Sequence, residues 1–171
     1  MSEIARTKTH PVMVGSVQVG GGAPVSVQSM CTTKTDDPDA TLRQIKGLAE
    51  AGCEIIRVAI PDAKALDGFE EICKYSPLPV VADIHFDYKL ALEAAKRGAA
   101  ALRINPGNIG SMERVDAVID AAKAAHIPIR IGVNAGSLAK EFDTRQDMTL
   151  VEKLVASSKS FVEHFSSRGF E

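Results

Sequence analysis

Tryptophan is absent from this sequence, cysteine occurs only three times, and no apolar run reaches the length of a membrane span. The three cysteines, Cys31, Cys53 and Cys73, form no C-x-x-C pair, so their spacing indicates neither a zinc site nor a complete set of iron–sulfur ligands. Residues 1–11 contain no apolar stretch typical of a signal peptide, and we therefore expect a cytoplasmic protein. The 20 basic residues are balanced by 22 acidic ones and are not concentrated in any run, which argues against a nucleic-acid surface.

The sequence also lacks a G-x-G-x-x-G motif after its first predicted strand, which argues against a dinucleotide-binding fold. Beyond residue 24, short apolar strands alternate with helical patterns, and this alternation predicts an α/β fold with a parallel sheet. The predicted strands are 25–30, 54–60, 79–84, 101–105 and 129–133. The predicted helices are 38–51, 63–75, 88–97, 111–126 and 150–167.

Closed barrels and open doubly wound sheets both fit this alternation, but the strands favour a parallel (β/α) TIM-type barrel. Each strand has one aliphatic face and one polar face, as expected when the polar side points toward a barrel axis. We predict an N-terminal tail and β-hairpin over residues 1–24, with the hairpin at 12–19 closing the bottom of the barrel. Residues 25–171 then hold about five βα units, so the barrel is incomplete.

Three predicted strands each carry an arginine in the middle, at Arg57, Arg103 and Arg130. A guanidinium group does not lose its proton, and burying it without a partner is costly. The planar guanidinium fork matches phosphate oxygens, and several arginines together suit a diphosphate. We therefore expect an anion among these three side chains.

Active sites of such barrels lie at the carboxyl ends of the strands. There we place eight candidate binding residues: Gln28, Arg57, Asp83, His85, Arg103, Asn105, Arg130 and Asn134. The small residues on the same faces, Ala59, Ala101 and Gly132, are expected to leave room for a ligand. The alternative is a structural network, but Asp83 is a single acid against three inward cations, so an anion site is favoured. His85 and Asp83 are candidates for proton transfer or for a hydrogen bond to a substrate hydroxyl.

Four segments that contain most of these residues closely resemble one family, the hydroxymethylbutenyl diphosphate synthases. These enzymes make 4-hydroxy-3-methylbut-2-en-1-yl diphosphate in the non-mevalonate isoprenoid pathway. The segments are 25–30, 81–86, 102–108 and 129–138, and the likeness runs from about residue 9 to the last residue. The resemblance implies a barrel that binds methylerythritol cyclodiphosphate. It also implies a [4Fe–4S] cluster that delivers two electrons to this substrate and opens its ring. Ferredoxin or flavodoxin is the implied electron donor, and full-length members are expected to be homodimers.

Carried over position by position, the resemblance assigns Arg57, Arg103 and Arg130 to the diphosphate. Asp83, His85, Asn105 and Asn134 complete the pocket. In the family, later strands bring a lysine and a catalytic glutamate, and a smaller domain ligates the cluster through three cysteines and a glutamate. Those features lie beyond Glu171, and Cys31, Cys53 and Cys73 do not match the ligands. We therefore expect the chain to be the amino-terminal part of the enzyme, without turnover by itself.

Two other functions remain open from the sequence. One is a non-redox transferase similar to the dihydropteroate synthases, which would bind a pterin and no iron. The other is a partial barrel that binds a ligand without chemistry of its own and covers its open strand edges by association.

Overall fold

A computed structural model describes residues 7–136, 138 and 140–170. Residues 1–6 of the predicted tail lie outside these ranges, as do Ser137, Ala139 and Glu171. The strands are β1 (Val12–Val14), β2 (Val17–Val19), β3 (Gln28–Met30), β4 (Ile55–Ala59), β5 (Val80–Ile84), β6 (Ala101–Ile104) and β7 (Ile129–Ile131). The helices are α1 (Pro38–Glu50), α2 (Ala65–Tyr75), α3 (Tyr88–Lys96), α4 (Pro106–Ile109), α5 (Met112–Ala125), α6 (Lys140–Asp143) and α7 (Leu150–Ser167).

The five strands from β3 to β7 form one parallel sheet in which every strand pairs with the next strand in sequence. Open doubly wound sheets reverse their strand order at a switch point, whereas barrels keep the sequential order seen here. The predicted α/β fold with about five βα units of a barrel is thus confirmed.

The main core lies between this sheet and the helices that connect its strands. Alternate strand residues point to that side and are almost completely buried, among them Ile56, Val58, Ala82, Leu102 and Ile104. They pack against apolar side chains of the helices, such as Phe69 of α2 and Ile119 of α5. Successive side chains of a strand point to opposite faces of the sheet, so the residues in between point to the other, concave face.

The hairpin of β1 and β2 covers the amino-terminal end of the concave face, as predicted. Its Val14 forms a second, small apolar cluster with Ile55, Val81 and Ala101. The hairpin turns at Gly15, whose φ of +56° favours glycine. A Cβ atom there would also lie 2.8 Å from the Cβ atom of Pro79, so the turn packs tightly below β5.

The predicted helices and strands agree with the structure apart from their ends and two short helices. The short helix α4 contains Pro106 and Gly107, a pair that is typical of a turn. The helix forms because Asn105 caps it and accepts a hydrogen bond from the Gly107 amide. On α7, Phe161 and Phe165 are buried, while Val151, Val155 and other apolar residues of the helix are exposed. The apolar residues spread around more of this helix than its single packed side can cover.

Candidate functional site

The centre of the concave face is the carboxylate of Asp83, which β5 places among side chains of two neighbouring strands. Asp83 is completely buried. Its Oδ2 atom lies 2.9 Å from Nη2 of Arg57 and 3.2 Å from Nε2 of His85, and its Oδ1 atom lies 3.3 Å from Nη1 of Arg103. A buried carboxylate is tolerated only with such partners, so Asp83 fixes two guanidinium groups and one imidazole around itself.

Strand register explains why these residues meet. Ala59, Asp83, Arg103 and Arg130 pair in sequence across β4, β5, β6 and β7, so they form one row across the sheet. Arg57 stands two residues before Ala59 on β4, which is one row closer to the amino-terminal end of the sheet. From that row its side chain reaches Asp83. All three strand arginines therefore share the concave face, as their alternation predicts.

Arg130 and Gln28 connect the two outermost strands of the sheet. Arg130 Nη1 donates a hydrogen bond of 3.2 Å to Oε1 of Gln28, although β7 and β3 stand at opposite ends of the strand order. This contact requires a strongly curved sheet, as in a barrel. Gln28 was expected at the carboxyl end of its strand, and this placement was wrong, because it is the first residue of β3 and pairs with Ile55.

The two predicted asparagines lie at the carboxyl ends of β6 and β7 but differ in exposure. Asn105 is buried and its Oδ1 atom accepts the Gly107 amide at 3.1 Å. Asn134 is exposed and accepts the Gly136 amide at the same distance. Both side chains thus shape the loops at the rim of the sheet through their own turns. His85 lies at the same rim with its side chain half exposed, and its ring stands 6.1 Å from that of Phe86.

The site holds more positive than negative charge. Asp83 is the carboxylate in contact with Arg57 and Arg103, and no ion pair of Arg130 occurs in the part of the chain that the structure describes. The Nε atom of Arg57 is buried and has no hydrogen-bond partner among the described residues. An unpaired buried donor and a surplus of guanidinium groups both favour binding of an anion here.

Two of the three small residues expected to leave room for a ligand do not leave it. Ala101 packs against Val14 of the hairpin, so its space belongs to the apolar cluster. The space beside Gly132 is filled by the Arg103 guanidinium, and a Cβ atom at this glycine would lie 2.7 Å from its Nε atom. The contact between Gly132 and Arg103 was not predicted, and an isolated glycine at the end of a strand was the one signal for it.

The cysteines do not form a metal site. No group of three or more His, Cys, Asp or Glu side chains suited to a metal occurs in the described ranges. Cys31 and Cys53 are buried, and Cys73 is partly buried. Burial raises the pKa of the Cys31 thiol to about 11 and that of the Cys73 thiol to about 12, which disfavours the thiolate that metals bind. Within the same ranges, no helix has the length and apolar character needed to cross a membrane.

Solved structures with a similar fold include dihydropteroate synthases. One from Yersinia pestis, in a sulfonamide drug complex, superposes with a TM-score of 0.60 at 13% sequence identity, covering 93% of this chain and 62% of the other. A second structure from that organism, with a pterine-sulfa conjugate, gives 0.53 at 14% identity, covering 88% and 60%. At this identity the likeness concerns the fold alone and supports the barrel architecture.

Much closer sequence relatives are curated as "4-hydroxy-3-methylbut-2-en-1-yl diphosphate synthase (flavodoxin)". The relative from Exiguobacterium is 52% identical over 171 residues, covering 99% of this chain and 46% of the relative. The one from Anoxybacillus flavithermus is 51% identical, with coverages of 100% and 47%, and the one from Marinomonas is 49% identical, with 99% and 46%. The chain thus spans about half the length of these relatives.

A model of one protein family matches nearly the whole chain, from residue 9 to residue 171. Its description is "GcpE TIM-barrel domain", which agrees with the sequential parallel sheet and with the names of the relatives. The resemblance found in the sequence motifs is confirmed, and the chain belongs to the GcpE TIM-barrel domain family.

Proposed function

We propose that this chain is the substrate-binding barrel of an iron–sulfur oxidoreductase of isoprenoid biosynthesis. The reaction is the reductive conversion of 2-C-methyl-D-erythritol 2,4-cyclodiphosphate to (E)-4-hydroxy-3-methylbut-2-enyl diphosphate. The observation that carries the proposal is the convergence of Arg57, Arg103 and Arg130 on one concave face around a single buried carboxylate. The names of the close relatives support the same substrate, because their product is a diphosphate.

Charge balance favours a diphosphate over a single carboxylate ligand. The concave face carries three strand arginines and the Asp83 carboxylate, which pairs with Arg57 and Arg103, so about two positive charges are uncompensated. Each of the two phosphates in a cyclic diphosphate keeps one negative charge, so the ligand balances this surplus. The Arg130 side chain is exposed, so its guanidinium is accessible to such a ligand, while Arg57 and Arg103 are more buried.

The other candidate residues have supporting roles in this proposal. Asp83 holds the guanidinium groups of Arg57 and Arg103 in place rather than touching the diphosphate, because like charges repel. His85 contacts Asp83 through Nε2 and exposes half of its side chain, so it is placed to hydrogen-bond a hydroxyl of the substrate. Asn105 and Asn134 hold the loops that border the ligand, and Gln28 steadies Arg130.

The electron-transfer part of the reaction is not assigned to these residues. A [4Fe–4S] cluster does not fit the described residues, because no cluster of suitable ligands occurs among them and the thiols of Cys31 and Cys73 are held protonated. The family resemblance assigns the cluster ligands and the catalytic glutamate to segments that follow the first five βα units. Flavodoxin, which the relatives' names contain, is the electron donor we propose for the complete enzyme, which we take to be a cytoplasmic homodimer.

The binding part of the proposal is tested by titrating the chain with the cyclodiphosphate in a calorimeter. We expect saturable binding that weakens about tenfold to a hundredfold in Arg103→Ala or Arg130→Ala, because each removes a charge-assisted hydrogen bond to phosphate. The matched control is Arg97→Ala, which removes an arginine paired with Asp67 and Glu70 on the helical side of the fold. Binding of a pterin in place of the cyclodiphosphate, or equal binding by all three variants, contradicts the proposal.

The proposal that the described barrel units bind the substrate but do not carry out the reduction is tested by an anaerobic assay. The 171-residue chain, incubated with iron, sulfide and reduced flavodoxin, is expected to bind the cyclodiphosphate without converting it. Formation of the hydroxymethylbutenyl product by this chain would show that the described barrel units carry the redox chemistry as well.

A further inference from the structure

Gly132 follows β7 and has no side chain where the guanidinium group of Arg103 lies. Its amide donates a hydrogen bond of 2.8 Å to the Ile104 carbonyl, so the backbone here continues the pairing of β7 with β6. A Cβ atom on Gly132 would lie 2.5 Å from Nη2, 2.7 Å from Nε and 2.8 Å from Cζ of Arg103. Those separations are shorter than any van der Waals contact, so Arg103 occupies its position because residue 132 is glycine.

Backbone conformation does not account for this glycine. The glycines with a positive φ include Gly15 and Gly110, and Gly132 is not among them. An alanine is therefore able to adopt the backbone of residue 132, and in a strand a side chain is usually preferred to none. Close approach of another group is the remaining physical reason for a glycine directly after β7.

Two opposite contacts hold the Arg103 guanidinium. On one side, its Nη1 atom lies 3.3 Å from Oδ1 of the buried Asp83. On the other, it lies against the bare backbone of Gly132. The arginine side chain is flexible, so a Cβ atom at residue 132 displaces the guanidinium more easily than the backbone of β6 or β7.

We infer that Gly132 is a positioning residue for the anion site, which it serves by giving Arg103 the space in which its guanidinium faces the ligand. The inference rests on the proposed function, because it assumes that Arg103 binds a phosphate group. It also differs from the simpler idea that glycine leaves volume for the ligand itself, since the Arg103 side chain already fills that volume. Stability and affinity are expected to respond differently to a side chain here: folding is preserved, whereas binding is impaired.

The test is Gly132→Ala in the 171-residue chain, titrated with inorganic pyrophosphate and with the cyclodiphosphate. We expect about tenfold weaker binding of both ligands, because a charge-assisted hydrogen bond is lost or misdirected, with little change in the unfolding midpoint. The matched control is Gly47→Ala in α1, where a Cβ atom meets nothing within 4 Å and binding is expected to be unchanged. The Nε–Hε resonance of Arg103 is expected to shift in Gly132→Ala and not in Gly47→Ala.

A double-mutant cycle separates a positioning role from a purely structural one. If Gly132 acts through Arg103, adding Gly132→Ala to Arg103→Ala weakens binding by less than about twofold, because the clashing group is already gone. Equal losses in both backgrounds, or wild-type affinity in Gly132→Ala, would overturn the inference. If Gly132→Ala alone does not fold, the double variant must fold and bind like Arg103→Ala, and failure to do so has the same meaning. Wild-type affinity in Arg103→Ala would instead contradict the proposed function.

Discussion

Arg103 and Arg130 lie directly opposite each other on the neighbouring parallel strands β6 and β7. Adjacent strands are about 4.8 Å apart, so the two arginine side chains leave the same face of the sheet side by side. Like charges opposite each other on a sheet are unfavourable, and an anion between them relieves the repulsion. The pair therefore links the stability of the fold to occupancy of the site.

Replacing one member of this pair is expected to separate stability from binding. Arg130→Gln should raise the free energy of unfolding by about 0.2–1 kcal/mol at low salt without ligand, because a repulsion is removed. The same variant should lose most of the stabilisation that pyrophosphate gives to the wild type. Chemical denaturation at low and high salt, with and without pyrophosphate, measures both effects, and added salt should shrink the difference.

Lys159→Gln is the matched control for Arg130→Gln, since Lys159 is an exposed cation of α7 whose Nζ atom lies 3.7 Å from Glu163. It should leave both quantities unchanged. The idea of a strained cation pair is contradicted if Arg130→Gln behaves like Lys159→Gln, or if pyrophosphate stabilises Arg130→Gln as much as the wild type.

Asp83→Asn is expected to destabilise the chain strongly while keeping the shape of the side chain. The carboxylate is completely buried between Arg57 and Arg103, and removing its charge leaves two guanidinium groups uncompensated. Breaking a buried ion pair from one side costs about 3–5 kcal/mol. Urea denaturation measures the loss, and Asp67→Asn serves as control, because Asp67 pairs with Arg97 on the surface and should cost about 1 kcal/mol at most. Equal losses in the two variants would show that Asp83 is not the electrostatic centre of the site.

The inward direction of the three arginines was predictable because strand periodicity requires little tertiary information. Arg57 and Arg103 each stand in the middle of an aliphatic strand, so their opposite neighbours fix the apolar face and leave the arginines on the other one. The parallel order of the strands follows from the intervening helices. These two local rules were sufficient to place Asp83 and the arginines on the same face of the sheet.

The residues whose surroundings were not predicted depend on contacts between distant parts of the chain. Gln28 meets Arg130 because the sheet curves, and the strand pattern that predicts a barrel does not say which side chains this curvature brings together. Ala101 and Gly132 looked alike as small residues facing inward, yet one packs against the hairpin and the other against Arg103. Distinguishing these cases requires knowing which side chain arrives from elsewhere in the structure.

Gly68 of α2 is expected to be intolerant of alanine. A Cβ atom at this position would overlap the carbonyl oxygen of Thr35, and the Thr35 side chain is itself buried and hydrogen-bonded to the Ala59 carbonyl. Because the obstacle is backbone, the clash should exceed the gain in helix propensity, and Gly68→Ala should lose about 1–3 kcal/mol. Gly47→Ala in α1 meets no neighbour within 4 Å and should gain up to about 1 kcal/mol. Thermal unfolding of the two variants compares them directly, and a Gly68→Ala protein as stable as Gly47→Ala would refute the close approach.

The buried thiols are expected to resist alkylation in the folded chain. Burial raises the pKa of Cys31 from 9.0 to about 11, so at pH 8 its thiolate fraction should fall about a hundredfold below that of the unfolded chain. Cys73, with a pKa raised to about 12, should react more slowly still. Mass spectrometry after timed exposure to iodoacetamide, in buffer and in denaturant, gives the two rates for each cysteine.

The same shifts set the sign of a pH effect on stability. A thiol whose pKa is higher in the folded chain keeps its proton there, so its contribution is fully present below pH 9 and is lost as the pH rises toward 11 or 12. In Cys73→Ala this loss should be smaller than in the wild type between pH 9 and pH 11, as measured by urea denaturation. Fast alkylation of folded Cys31 or Cys73 at pH 8 would mean that these thiols are accessible as thiolates, and the conclusion that the described cysteines are unsuited to an iron–sulfur cluster would then fail.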